Sequence, residues 1–263
     1  MSDQLTMRLE PALPRLPAGL RPMLARPLRE PFDSPAHLFE PAWGGARALA
    51  LIGPAHVPGS GDVRLVAEDG TTGPAPIDLA GLAARLAARS AVLDGEIVVV
   101  DEAGRLDADG LARRFRGEPG RPLSYLAFDL LHLDGKSLLN LALDRRRALL
   151  RQVLRPGDEV VAVPGIATEG RALFEAVSAQ GLFGLRARQR TSPYLPGIRS
   201  RLWRTISVAG PEAGAAAGSA SELPPEDAEL LAGVSDRGER VLSLIRRLPL
   251  QFEPDVNGGA DGA

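Results

Sequence analysis

Leu93-Asp94-Gly95-Glu96-Ile97-Val98-Val99-Val100 is apolar and β-branched after Glu96. It reads as a buried strand with a carboxylate at its mouth. Asp101-Glu102-Ala103-Gly104 follows as a turn signal. A second stretch of the same kind, Tyr125-Leu126-Ala127-Phe128-Asp129-Leu130-Leu131-His132-Leu133-Asp134-Gly135, places another aromatic-rich strand downstream.

Outward from these two, the spacing predicts a strand from Phe39 that turns at Gly44-Gly45 and resumes through Leu51. A short alternating strand is expected at Val63–Val66, closed by Glu68-Asp69-Gly70. Asp78 is in position to cap a helix from Leu79 to Arg89, with Leu79, Leu82 and Leu86 on one face. The central strands are expected at Val92–Val100 and Leu123–Leu131. Asp144 should cap a helix through Arg145 to Leu154 with Ala148, Leu149 and Val153 inward; Arg171–Gln180 should be a helix ended by Gly181. Closing strands are expected around Leu185 and at Leu202–Val208. Strands with interspersed helices, out of strict βαβ alternation, indicate an α+β fold of largely antiparallel sheets.

The chain has 263 residues, 44% hydrophobic and 24% charged, which suits a soluble globular protein with a sizeable core. It has no cysteine, which excludes a disulfide framework and a thiolate metal site. No apolar run reaches membrane-spanning length and no signal-peptide pattern appears, so a cytoplasmic setting is expected. Residues 1–207 hold 27 basic and 23 acidic side chains, net +4, and residues 208–263 hold 4 and 10, net −6. Lys136 is the single lysine among 31 basic residues. Arginine can clamp phosphate, but its guanidinium does not lose a proton near neutral pH and is a poor nucleophile.

Four segments, in this order and at these spacings, carry a resemblance: Leu38-Phe39-Glu40-Pro41-Ala42-Trp43-Gly44-Gly45-Ala46-Arg47, Leu93–Glu96, Tyr125–Asp129, and Ser192-Pro193-Tyr194-Leu195-Pro196-Gly197-Ile198-Arg199-Ser200-Arg201-Leu202-Trp203. Together they resemble the adenylation domain of ATP-dependent DNA ligases, of the bacterial ligase D type, over residues 21–207. The resemblance implies a nucleotidyltransferase fold (DNA ligase adenylation, ATP-grasp-like) with flanking helices. It also implies ATP or AMP as nucleotide, magnesium as cation, and nicked DNA as partner. By the same resemblance Glu40 would contact adenine, Arg47 and Glu96 the ribose, and Phe128 would stack on the base, with Arg188 as a further nucleotide contact. Glu96 is the one candidate cation ligand.

The family's nucleophile pattern E-x-K-x-D-G-x-R reads Glu40-Pro41-Ala42-Trp43-Gly44-Gly45-Ala46-Arg47 here. Lysyl-adenylate formation needs a deprotonatable amine, and Ala42 has none. The family's E-G-[IV]-[VM]-x-K reads Phe183-Gly184-Leu185-Arg186-Ala187-Arg188, so a hard-cation ligand has become an aromatic ring. Two further phosphate-handling lysine positions fall on Thr205 and Ser207. Magnesium binding is therefore expected to be weak. Lys136, after Asp134-Gly135, lies where the family has no nucleophile.

Arg186, Arg188, Arg190, Arg199, Arg201 and Arg204 lie in a stretch without an acidic residue, a phosphate- or DNA-binding edge or a solvated strand edge. Around the body the expected organisation is a flexible arm at 1–20, a linker at 208–223, a helical segment at 224–250 and a disordered tail at 251–263, with no OB-fold barrel. Asp236 and Glu239 form a candidate capping box in that helical segment, ahead of a stripe of Val241, Leu244, Ile245 and Leu248. Three functions fit: an impaired ligase homologue that still binds nucleotide or DNA, beside an active ligase or other repair protein; a working ligase with another nucleophile; or an interaction protein on this scaffold.

Overall fold

Strand β6 (Ala91–Val98) is buried along its whole length. Side chains alternate across a strand, so Val92, Asp94, Glu96 and Val98 share one face and Ala91, Leu93, Gly95 and Ile97 the other. A continuous buried run therefore requires cover on both faces. The computed structural model, which describes residues 12–209 and 237–252, supplies that cover.

Among the described residues, twelve strands form two sheets. The first has the order β1-β12-β11-β2-β10 and the second β5-β4-β3-β6-β7-β8, with β9 alongside β7. The first contains β1 (Leu24–Pro27), β2 (Ser34–Ala42), β10 (Ile166–Thr168), β11 (Gly184–Gln189) and β12 (Arg199–Ser207). The second contains β3 (Ala46–Ile52), β4 (Val63–Ala67), β5 (Thr72–Pro74), β6, β7 (Ser124–Leu133), β8 (Lys136–Ser137) and β9 (Val160–Ala162). Pairing is antiparallel except for β1 with β12 and β7 with β9. The α+β reading with largely antiparallel sheets holds.

Leu93, Ile97, Tyr125 and Ala127 face a core built with Leu79, Leu82 and Leu150. The opposite face meets two further clusters. Val92, Leu49 and Leu131 pack with Tyr194 and Trp203, and Val98, Leu126 and Phe128 pack with Phe39, Leu173 and Leu185. The proline-rich start, expected as a loose arm, touches the body at two leucines: Leu20 is buried and Leu16 packs on the same cluster as Tyr194.

Several local expectations are corrected. The strand from Phe39 does turn at Gly44-Gly45 and resume, and the turn leads from one sheet to the other: β2 belongs to the first and β3 to the second, with Trp43-Gly44-Gly45 as the crossover. The segment after Asp78 is a 3₁₀ helix, Ile77–Arg85, with Pro76 at its start and no side-chain cap. Asp78 instead accepts from Arg114 Nη2 at 2.5 Å. That arginine belongs to a helix absent from the sequence reading, α1 (Ala108–Phe115), capped by Asp107 Oδ1 accepting from the Gly110 amide at 2.8 Å.

Helix α2 (Leu143–Val153) starts without a side-chain cap, and Asp144 pairs with Arg190 at 2.8 Å instead. Its fully buried positions are Leu143, Arg146, Arg147 and Leu150; of the residues expected inward, Leu149 and Val153 are half-buried and pack against the core. Helix α3 (Gly170–Ala179) matches expectation, with Gly181 at φ +67° just beyond it. Helix α4 (Arg237–Arg246) carries the expected stripe, with Val241, Leu244, Ile245 and Leu248 buried. Asp236 of the candidate capping box lies outside the described residues, as do most of the linker and tail. Among the described residues no helix is long and apolar enough to cross a membrane.

Candidate functional site

Strand alternation brings the site together. On β2, Glu40 and Ala42 share a face, and on the neighbouring β11 so do Arg186 and Arg188; Glu40 lies opposite Arg186 and Ala42 opposite Gly184. Across from them stand Asp94 and Glu96 of β6 and Phe128 of β7. Glu40, Arg47, Glu96, Phe128 and Arg188 therefore do converge where the two sheets meet. All are buried or nearly so.

Each carboxylate there is already engaged. Glu40 accepts from Arg147 Nη1 and Arg188 Nη1 in two short contacts. Glu96 takes a bidentate pair from Arg186 at 3.0 and 2.7 Å, and the Trp43 amide donates to its Oε1 at 3.3 Å. Burial alone would raise the Glu96 carboxyl, but Arg186 and the Trp43 amide outweigh it and hold the group below its ordinary value. Asp94 accepts from Arg47 Nε and Nη2 at 2.8 and 2.6 Å and from the Tyr194 hydroxyl at 2.8 Å. Asp129 accepts from Arg146 at 2.9 and 2.8 Å.

Phe128 is covered in the same way. The Arg188 guanidinium lies 3.9 Å from its ring centroid, Arg47 at 4.5 Å and Arg186 at 5.2 Å. Arg188 also lies 4.7 Å from the Trp203 ring, so it is sandwiched between two aromatics.

The arginine run does not form a single edge. Arg186 and Arg188 point into the site; Arg190 is half-buried against Asp144; Arg204 is half-buried; Arg199 and Arg201 are exposed. Arg199 also donates to the Ala25 carbonyl at 2.8 Å. Sequence reasoning missed Arg146, Arg147, Asp94 and Tyr194. The signal for the first two was Leu143-x-x-Arg146-Arg147-x-x-Leu150, an i, i+3, i+4, i+7 face on which arginines replace two of the apolar residues.

The model of the ATP dependent DNA ligase domain matches residues 22–206 of the chain. The chain belongs to this ligase family. It is 34% identical over 196 residues to a probable DNA ligase of Rhodococcus opacus, a match that covers 70% of this chain and 39% of that protein. It is 33% identical over 167 residues to the multifunctional non-homologous end joining protein LigD of Mycolicibacterium smegmatis, covering 63% of this chain and 20% of that protein. The chain thus spans well under half the length of these ligase relatives. Among solved structures, the mycobacterial DNA ligase D complexed with ATP and MES superposes with a TM-score of 0.61 at 29% identity, over 72% of this chain and 60% of that one. The ligase domain of M. tuberculosis LigD gives the same TM-score at 30% identity, over 72% and 59%.

The residues present do not fit the magnesium that a ligase family member implies. Glu96 spends both oxygens on Arg186, and among the described residues no three His, Asp or Glu side chains group as a metal site. Position 183 is aromatic, and its ring fills the space beside the crossover: a Cβ on Gly44 would lie 2.9 Å from Phe183 Cγ and Cδ2. Ala42, at the ligase nucleophile position, is 1% exposed.

Proposed function

We propose that this chain is a ligase-family protein that does not adenylate itself and serves as a DNA-binding scaffold. The observation that carries the reading is Ala42: the nucleophile position holds a methyl group, sealed in the sheet junction, with no lone pair to attack an α-phosphate. Lys136, the chain's one lysine, is exposed on β8 of the second sheet, whereas Ala42 belongs to the first. Adenine nucleotides bind at most weakly, because the base must displace Arg188 from Phe128 and break its pair with Glu40. Exposed Arg199 and Arg201 support contact with a phosphate backbone. Relatives named for end joining make DNA repair, in the cytoplasm and beside a ligase that seals, the setting that fits this role.

Incubation of the full chain with α-labelled ATP and magnesium or manganese, followed by denaturing electrophoresis, is expected to give no labelled band. A band that survives denaturation would overturn the reading. Binding to a nicked duplex is expected to be salt-sensitive and several-fold weaker in Arg199→Ala/Arg201→Ala; equal binding by that variant would remove the DNA-contact proposal.

A further inference from the structure

Helix α4 lies beyond the ligase-domain match, which ends at residue 206. It nonetheless packs as part of the body. Val241, Leu244, Ile245 and Leu248 are all buried in the cluster that holds Trp43, Val98, Val100, Val161 and Leu182. Burying four such side chains takes apolar surface out of water and offsets the cost of ordering the helix.

Two hydrogen bonds and one close backbone approach then lead from α4 to the crossover between the sheets. Arg247 Nη2 donates to the Ala103 carbonyl at 3.0 Å. Gly104 sits at φ +82°, and a Cβ there would lie 2.6 Å from the Arg240 carbonyl oxygen and 3.2 Å from Leu244 Cβ, so the turn and helix meet backbone to backbone. The Gly104 carbonyl accepts from Trp43 Nε1 at 2.8 Å. Trp43 is the first crossover residue, and its amide is held by Glu96 at 3.3 Å.

We infer that α4 is a strap that fixes the Asp101–Gly104 turn and, through Trp43, locks the Trp43–Gly45 crossover over the closed site. The strap acts on the crossover whether or not the chain adenylates, so it stands apart from the proposed function.

Hydrogen exchange on the full chain tests it, using Leu244→Asp, which breaks the apolar seat, and Arg247→Ala, which removes the tie to Ala103 and leaves the apolar seat in place. In both variants exchange should quicken tenfold or more at 42–46 and 101–106 as well as in α4, while the β6–β7 ladder keeps its protection. Faster exchange confined to 237–252 in both variants would overturn the inference. Should Leu244→Asp lose the ladder as well, the Arg247→Ala result decides: quickening at 42–46 supports the strap, and no change there rejects it.

Discussion

Arg188 carries a charge that its surroundings do not fully balance. Around the site five guanidiniums (Arg47, Arg146, Arg147, Arg186, Arg188) face four carboxylates (Glu40, Asp94, Glu96, Asp129). Arg188 Nε and Nη2 find no hydrogen-bond partner among the described residues. Burial, against the pull of Glu40 and with the repulsion of Arg186 and Arg47, lowers the Arg188 guanidinium to about 10. Arg147 is placed differently: it holds Glu40 and also donates to the Phe128 and Val163 carbonyls at 2.8 Å each. Arg188→Met should therefore shift stability by no more than about 1 kcal/mol, since Glu40 keeps Arg147. Arg147→Met should cost roughly 3–5 kcal/mol, leaving two buried carbonyls without their donor. Urea unfolding of the two variants checks the contrast, and equal losses would contradict it.

Glu96 supplies a pH-dependent prediction at the same scale. Its folded value lies below the ordinary 4.5, so the carboxylate stabilises the fold above that value and the contribution is lost as pH falls through the depressed one. Arg186→Met removes the cation that causes the depression and leaves burial to raise Glu96. The stability gap between the wild type and Arg186→Met should be widest near neutral pH and narrow toward pH 3. A gap that stays constant in unfolding curves across that range would show that Arg186 acts through packing alone. Glu40, Arg47, Glu96 and Phe128 were legible in the sequence because they stand in ordered motifs. Their partners were not, since ion pairs between residues some 50 to 150 positions apart leave no local pattern.

Among the elements, β6 and β7 were the most legible, because strands covered on both faces are near-continuous apolar runs. Helix α2 was found, and Leu149 and Val153 of its expected face pack on the core, but its most buried positions were missed. Arginine counts as polar in any amphipathic reading, yet here Arg146 and Arg147 form the inward face and bridge to β2 and β7. The crossover could not be read either, because Gly44-Gly45 signals a turn equally well within a sheet and between two. Gly44, at φ +82° and with Phe183 against it, makes the crossover an element with its own energetics. Gly44→Ala should cost about 2–3 kcal/mol, and in a Phe183→Ala background the increment should fall toward the ~1 kcal/mol of left-handed strain alone. A thermodynamic cycle from chemical denaturation measures this, and additivity would deny the contact. Ala42→Lys alone should likewise yield no labelled adenylate: it buries an amine at the sheet junction while the positions that the ligase resemblance assigns to phosphate and cation remain Phe183, Thr205 and Ser207.

At the scale of the whole molecule, two sheets close on a junction lined by the residues that the ligase resemblance assigns to the nucleotide, and the chain fills it with its own guanidiniums. Arg188 lies on Phe128, Arg147 and Arg188 hold Glu40, and Arg186 occupies Glu96. The family and the α+β fold follow from motif order, but this closure depends on side chains meeting across the two sheets and is visible only in three dimensions. Its consequence is thermodynamic: an entering nucleotide must break buried ion pairs before it gains base stacking, and among the described residues the junction offers it neither a lysine nor a carboxylate without an arginine partner. Isothermal calorimetry of the full chain with ATP, ADP and AMP, each with and without magnesium, measures this directly. The expected result is affinity in the millimolar range or weaker, alike for the three nucleotides and unchanged by magnesium. Micromolar or tighter binding that selects ATP and requires magnesium would contradict it.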